Sequence, residues 1–307
     1  MKKKIIVLLF LALTLISAVI YFAAPGAVFR LYSSMERSSA GLSEHSVLVG
    51  DHRIPYLEGG SGPNVLLIHG YSAEKSHWVR FAKYLTGSYH VVIPDVPGFG
   101  ESTKLPSARY DIESQAARLS AFADKLGLGS YHVVGNSMGG SIACVIALRG
   151  PKKVLSVALF DSSGVTPPKK SAYQLARDRG QSPLLVNSAA DFDRVMKMNF
   201  SKPPRIPGPV KRYFALKAVE SRAFNEKIGK DLNDYKMDLE PVLGKIGAPV
   251  LILWGDDDRI LDISAVGVFE RGLKRHTTVI MKRCGHAPML ERPDETARHY
   301  LDFLKGL

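Results

Sequence analysis

Tyr131-His132-Val133-Val134-Gly135-Asn136-Ser137-Met138-Gly139-Gly140-Ser141-Ile142-Ala143-Cys144 is the stretch whose reading decides the fold. Four residues of strand-forming composition run into the pattern G-x-S-x-G, and the pattern runs into an apolar helical stretch, Met138–Leu148. A strand that turns at once into a helix has to turn sharply. The residue at the apex, Ser137, is then held in a strained backbone conformation with its hydroxyl facing outward. Glycines at 135 and 139 let neighbouring backbone pass close by. The helix N-terminus behind Ser137 offers amide dipoles to a developing oxyanion. A five-residue pattern arises often by chance; the strand before it and the helix after it give this one its meaning.

Outward from that turn, short apolar runs alternate with amphipathic stretches. Val65–Ile68, Tyr89–Pro94, Val154–Phe160, Val250–Trp254 and Thr278–Met281 read as buried strands. Ser76–Leu85, Asp111–Leu126, Ile263–Gly272 and Pro293–Leu304 read as helices. Such alternation predicts an α/β fold with a mostly parallel central sheet flanked by helices. Val47-Leu48-Val49 and Arg53–Leu57 flank Gly50-Asp51-His52 and predict an antiparallel hairpin feeding the sheet. Residues 165–240 break the alternation: they are proline-rich, carry helical stripes and lack strand signals. They read as an inserted helical cap, with 15 Lys and Arg against 9 Asp and Glu. The expected organisation is an anchor over 1–24, a juxtamembrane segment over 25–44, a core over 45–164 and 241–307, and the cap over 165–240.

A serine hydroxyl is a poor nucleophile without a base. Of nine histidines, His286 in Cys284-Gly285-His286-Ala287-Pro288 follows the last strand. That places it on the same carboxyl edge of the sheet as Ser137. The orienting acid belongs, by the chain order Ser…Asp…His, to Trp254-Gly255-Asp256-Asp257-Asp258. Spacing leaves all three aspartates open, with Asp161 after Val154–Phe160 as a substitute. His69-Gly70-Tyr71 ends a strand, so the backbone N–H of Tyr71 is the expected partner of the Met138 N–H in an oxyanion hole. Asp95–Ser102 reads as a structural loop beside the site.

At 307 residues, 46% hydrophobic and 23% charged, the chain suits one large α/β domain. Its net charge of +12 lacks any nucleic-acid motif, so no nucleic acid is expected as a partner. Two cysteines, Cys144 and Cys284, make no disulfide framework. No His/Cys cluster has metal-ligand spacing and no glycine loop has nucleotide-binding context, so neither metal nor cofactor is expected. Met1-Lys2-Lys3-Lys4 precedes Ile5–Ala24, an uncharged run of membrane-spanning length followed by Pro25. It reads as an uncleaved single-pass transmembrane helix, with the N-terminus cytoplasmic and the domain on the far side. Val28, Leu31, Tyr32 and Met35 then form a helical stripe that either lies in the interface or docks on the domain, and that permits a homodimer.

With these residues placed, the chain resembles the α/β-hydrolase superfamily of serine hydrolases over residues 45–307. The resemblance rests on His69-Gly70-Tyr71-Ser72, Asp95-Val96-Pro97-Gly98-Phe99-Gly100, Gly135–Gly140, Trp254–Asp258 and Cys284-Gly285-His286. It implies that the acid is the third residue after the glycine of the W-G-x-x-D segment, Asp258. Anchor and domain together look most like membrane-anchored monoacylglycerol lipases and bacterial membrane-bound phospholipase A and esterase enzymes. That likeness implies a cap over the site, an apolar acyl tunnel, and a lipid or ester substrate. Hydrolases of C–C bonds in ring-cleavage products share Gly-Asn-Ser-Met-Gly-Gly, but His69–Ser72 lacks their glycine-rich continuation; a general small-ester esterase is the other alternative.

Overall fold

The computed structural model describes residues 4–6, 14, 21 and 23–307. Its frame is an eight-stranded sheet in the order β1-β2-β4-β3-β5-β6-β7-β8. The strands are β1 (Leu42–Val49), β2 (His52–Gly59), β3 (Asn64–Ile68), β4 (His90–Pro94), β5 (Tyr131–Asn136), β6 (Val154–Phe160), β7 (Val250–Gly255) and β8 (His276–Met281). The β1–β2 and β2–β4 pairs are antiparallel and every other pair is parallel, as the hairpin and the α/β alternation predict. Between β3 and β5 the strand order reverses, which opens a crevice at the carboxyl edge.

Strand residues alternate between two core layers. Leu66 and Ile68 pack on one face with α2 (Ile112–Lys125) and α3 (Met138–Arg149); Val65 and Leu67 pack on the other, with Trp78, Phe81 and Tyr300. Asp111 caps α2 by accepting the Ser114 N–H. Helix α3 is buried from Met138 to Ala147, which explains why it is apolar on every side.

The predicted helix Ser76–Leu85 is instead two short turns, Lys75–Trp78 and Val79–Ala82. The first is pinned at its start, where Lys75 donates its backbone N–H to Asp95 at 2.8 Å and its ammonium to Asp95 and Glu101. Between β6 and β7 the chain forms α4 (Ala172–Asp178), α5 (Ala189–Asn199), α6 (Gly208–Glu220) and α7 (Arg222–Asp234). Ser171 and Ser188 close capping boxes on the first two of these four helices.

A helix over Pro25–Ser39, here αN, packs against α6. It docks on the domain with a face that shares Tyr32 with the predicted stripe and is otherwise turned away from it. Phe29 stacks on Tyr213 with ring centroids 4.0 Å apart, Ser33 is buried, and Tyr32 and Glu36 bond to Arg80. Leu31 and Met35 remain 66% and 64% exposed. Hydrophobic periodicity misses this face because polar side chains with partners form much of it. Strand β1 starts at Leu42, so the sheet takes up the last residues of the segment read as juxtamembrane. Among the described residues no helix is long and apolar enough to cross a membrane; most of the run Ile5–Ala24 lies outside them.

Candidate active site

Five strand ends supply the site: His69–Tyr71 follows β3, Ser137 follows β5, Asp161 follows β6, Asp258 follows β7 and His286 follows β8. Ser137 has φ 56° and ψ −121°, a left-handed conformation costly for a residue with a Cβ. The glycines around it are required by close approach. A Cβ on Gly135 would stand 2.1 Å from the Gly139 carbonyl oxygen, and one on Gly139 would stand 2.3 Å from that of Ile68. The turn is thus wedged between β3 and α3. Backbone N–H of Ser137 donates to Phe160 O at 3.0 Å, tying the apex to β6.

His286 is 4% exposed. Its Nδ1 lies 2.7 Å from Asp258 Oδ2. An ionised carboxylate only accepts, so Nδ1 carries the hydrogen and Nε2 keeps a free lone pair. Asp258 Oδ1 accepts the N–H groups of Ile260 at 2.7 Å and Leu261 at 3.0 Å, which fixes the carboxylate plane. The two neighbouring aspartates turn elsewhere. Asp256 accepts the Arg283 N–H at 2.6 Å, and Asp257 pairs with Arg259 at 2.9 Å. Of the three aspartates left open by spacing, the fold brings Asp258 to the imidazole.

Ser137 and His286 line one cavity of about 260 Å³, together with Tyr71. Gly70 approaches the Ser137 turn closely: a Cβ there would stand 3.1 Å from Ser137 Cβ. Met138 is the first residue of α3, where a helix leaves its amides without intrahelical acceptors. The Tyr71 side chain points the other way and donates to Asn225 O on α7 at 2.6 Å. His69 is fully buried, with Nδ1 at 2.8 Å from Gly70 O and Nε2 accepting the Val96 N–H at 2.9 Å. Burial pushes its pKa down to about 4, so it is a neutral strut of the loop.

Three further residues hold the site, and sequence reading did not single them out. Asn136 donates from Nδ2 to Phe160 O at 3.0 Å and to His286 O at 2.9 Å, bridging the end of β5 to the His286 loop. Asn199, the last residue of α5, accepts the His286 N–H at 2.7 Å. Glu291 accepts the N–H groups of Gly285 at 2.9 Å and Ser201 at 3.1 Å. Only Asn136 had a local signal, its place inside the G-x-S-x-G pattern. Asn199 reaches His286, and Glu291 reaches Ser201, across about 90 residues of chain, where no spacing rule applies; Glu291 reaches Gly285 across only six.

The rest of the cavity wall mixes polar residues, among them Glu36, Arg80, Lys104 and Lys217, with a set of apolar side chains. Leu184, Val186, Phe192, Met196 and Phe214 come from the segment between β6 and β7, and Phe29 from αN. Phe99 and Gly100 add the Asp95 loop, whose fully buried carboxylate is held by Lys75 and by the Glu101 N–H at 2.9 Å.

A family model described as the alpha/beta hydrolase fold matches residues 63–293. Lipase 1 of Psychrobacter immobilis is 35% identical over 273 residues, covering 87% of this chain and 86% of that one. Monoacylglycerol lipase abhd6-B of Xenopus laevis is 29% identical over 297 residues, covering 92% and 88%. A crystal structure of a bacterial membrane phospholipase A matches with a TM-score of 0.91 at 47% identity, covering 99% of this chain and 98% of that one. A turn this tightly wedged, an imidazole backed by a carboxylate, and relatives that share the sheet around both lead to one placement: the chain belongs to the α/β-hydrolase fold family.

Proposed function

We propose that this protein is a membrane-anchored serine hydrolase that cleaves carboxylic esters of lipids, of phospholipase A, lysophospholipase or monoacylglycerol lipase type. The observation that carries the reading is the cavity itself, which has Ser137 and His286 in its wall beside a group of aliphatic and aromatic side chains, Leu184, Val186, Phe192, Met196 and Phe214. A carboxylic-ester hydrolase needs the first feature, and an acyl chain needs the second.

His286 Nε2 takes the Ser137 proton as the oxygen attacks the ester carbonyl. Asp258 holds the ring and stabilises the imidazolium. The amides of Tyr71 and Met138 receive the oxyanion. The alcohol leaves with the proton from His286, and water, activated by the same imidazole, frees the acid. Residues 165–240 serve as the cap, and their excess of Lys and Arg favours anionic headgroups. Ile5–Ala24 spans the membrane and αN leads from it to the sheet, with the domain on the extracytoplasmic side.

Full-length protein purified in detergent and given esters from acetate to palmitate, phospholipids and monoacylglycerols is expected to prefer longer acyl chains by about tenfold or more in kcat/KM. Equal turnover of acetate and palmitate esters would end the lipid assignment. Release of the protein from membranes by alkaline wash without detergent would end the anchor.

A further inference from the structure

Three polar side chains meet behind the active-site cavity, and the proposed triad uses two of them. The third, Asp161, is fully buried one residue past β6, with φ 46°. Its Oδ1 accepts the Gly255 N–H at 2.9 Å. No N–H or O–H among the described residues reaches its Oδ2, which is buried. One polar atom from each of Asp161, Asp258 and His286 lies within 4.8 Å of the other two.

Two carboxylates in one dry site cannot both be ionised, so one of them holds a proton. The count of donors decides which. Asp258 receives two backbone N–H groups and the imidazole N–H, and Asp161 receives one N–H. Charge stays where donors are most numerous. Burial, and then the Asp258 charge, push the Asp161 carboxyl well above the usual carboxylate range. The other titratable groups around it leave that assignment in place. Glu291 acts in the same direction, and the Cys284 thiol is itself pushed up by burial and so stays uncharged.

We propose that Asp161 is a positioning residue that works as a neutral acid, donating a hydrogen bond from Oδ2 to the Asp258 carboxylate. The imidazole of His286 is then backed by a proton-bridged pair of carboxyls. The bridge disperses part of the Asp258 charge, so it keeps His286 less basic than a lone carboxylate would. This rests on the triad reading, which Asp258→Asn tests separately.

The experiment compares the detergent-purified full chain with Asp161→Asn, Asp161→Ala and Asp258→Asn, reading kcat and the acid limb of the kcat/KM–pH profile. Asparagine keeps a donor toward Asp258 and an acceptor for Gly255 N–H, so Asp161→Asn is expected within about threefold of wild type with its acid limb unmoved. Asp161→Ala removes the donor, and its acid limb is expected to move up by about half a pH unit or more with kcat about tenfold lower. Infrared spectra at mildly alkaline pH are expected to show a neutral-carboxyl C=O band that Asp161→Asn lacks, which decides the point even if the alanine variant does not fold. Activity of Asp161→Asn as low as that of Asp258→Asn, an unmoved acid limb in a folded Asp161→Ala, or absence of the band overturns the proposal. Full activity of Asp258→Asn overturns the triad instead, and leaves the band in place.

Discussion

The carboxyl edge of the sheet and the helical layer over it are built by different means. At the edge, backbone meets backbone: β3 has Val65 to Ile68 with no exposed surface, and Gly135 and Gly139 leave no room for a methyl group. Over it, the helical layer buries scattered apolar residues, Val210, Ala215 and Ile228, and adds side-chain ties to carbonyls at α5 and α7: Tyr71 to Asn225 O, Lys227 to Ala108 O and Arg259 to Lys197 O. Close packing fixes reacting groups to fractions of an ångström, while side-chain ties set the shape of a cavity and tolerate change. The proposed chemistry stands on the first kind of construction, and the proposed choice of substrate on the second.

The comparison breaks most decisively at Ser137. Ser137→Ala is expected to lower kcat by about 10⁶-fold with the melting temperature nearly unchanged; esterase assays and fluorophosphonate labelling check it. Next comes Asp258→Asn, expected to cost about 10⁴-fold in kcat because the imidazole loses its tautomer, while Asp256→Asn and Asp257→Asn stay within a few-fold. Equal losses in all three would mean that the turn, and no single carboxylate, matters. Gly135→Ala drives a methyl into Gly139 O and is expected to cost about 3 kcal/mol or more of stability in denaturant unfolding.

A pH effect of similar size belongs to His69. Its folded pKa of about 4 lies below the ordinary histidine value of 6.5, so the unfolded chain binds the proton first. Stability from this residue is therefore present above pH 6.5 and lost as pH falls toward 4, by up to about 3 kcal/mol. His69→Gln is expected to flatten that part of the stability–pH curve. The smallest effect is Tyr71→Phe, which cuts one tie to α7. It is expected to cost about 1 kcal/mol and to change KM for long-chain esters more than kcat. A larger loss in kcat would show that the cap ties also hold the reacting groups.

Much of this edge was legible in the sequence because it is periodic. Val154–Phe160 is a strand over the predicted residues, and the other predicted parallel strands differ by one or two residues at their ends. The turn at Ser137 announced itself through two glycines that sterics demand. The choice of Asp258 from three adjacent aspartates needed either a family likeness or the fold, since composition assigns all three to one turn. Ser76–Leu85 misled because its apolar spacing fits a helix, while Lys75 is committed to Asp95. The face of αN was legible only in part: Tyr32 stood in the predicted stripe, while Ser33 and Glu36 count as polar until Ser33 is found buried and Arg80 is seen bonded to Glu36. Asn199 was invisible because its partner lies far away in sequence, and the role of Glu291 because it joins nearby Gly285 to distant Ser201.

Asn199 has a consequence for how this architecture changes over time. The carbonyl that accepts the His286 N–H belongs to the covering layer, not to the scaffold. That layer is therefore no interchangeable hat. A graft from a relative that lacked a carbonyl at this spot would arrive with the right pocket and unlatch His286 beneath it. Lineages that remodel the roof for a new substrate have to preserve this one peg while everything around it drifts.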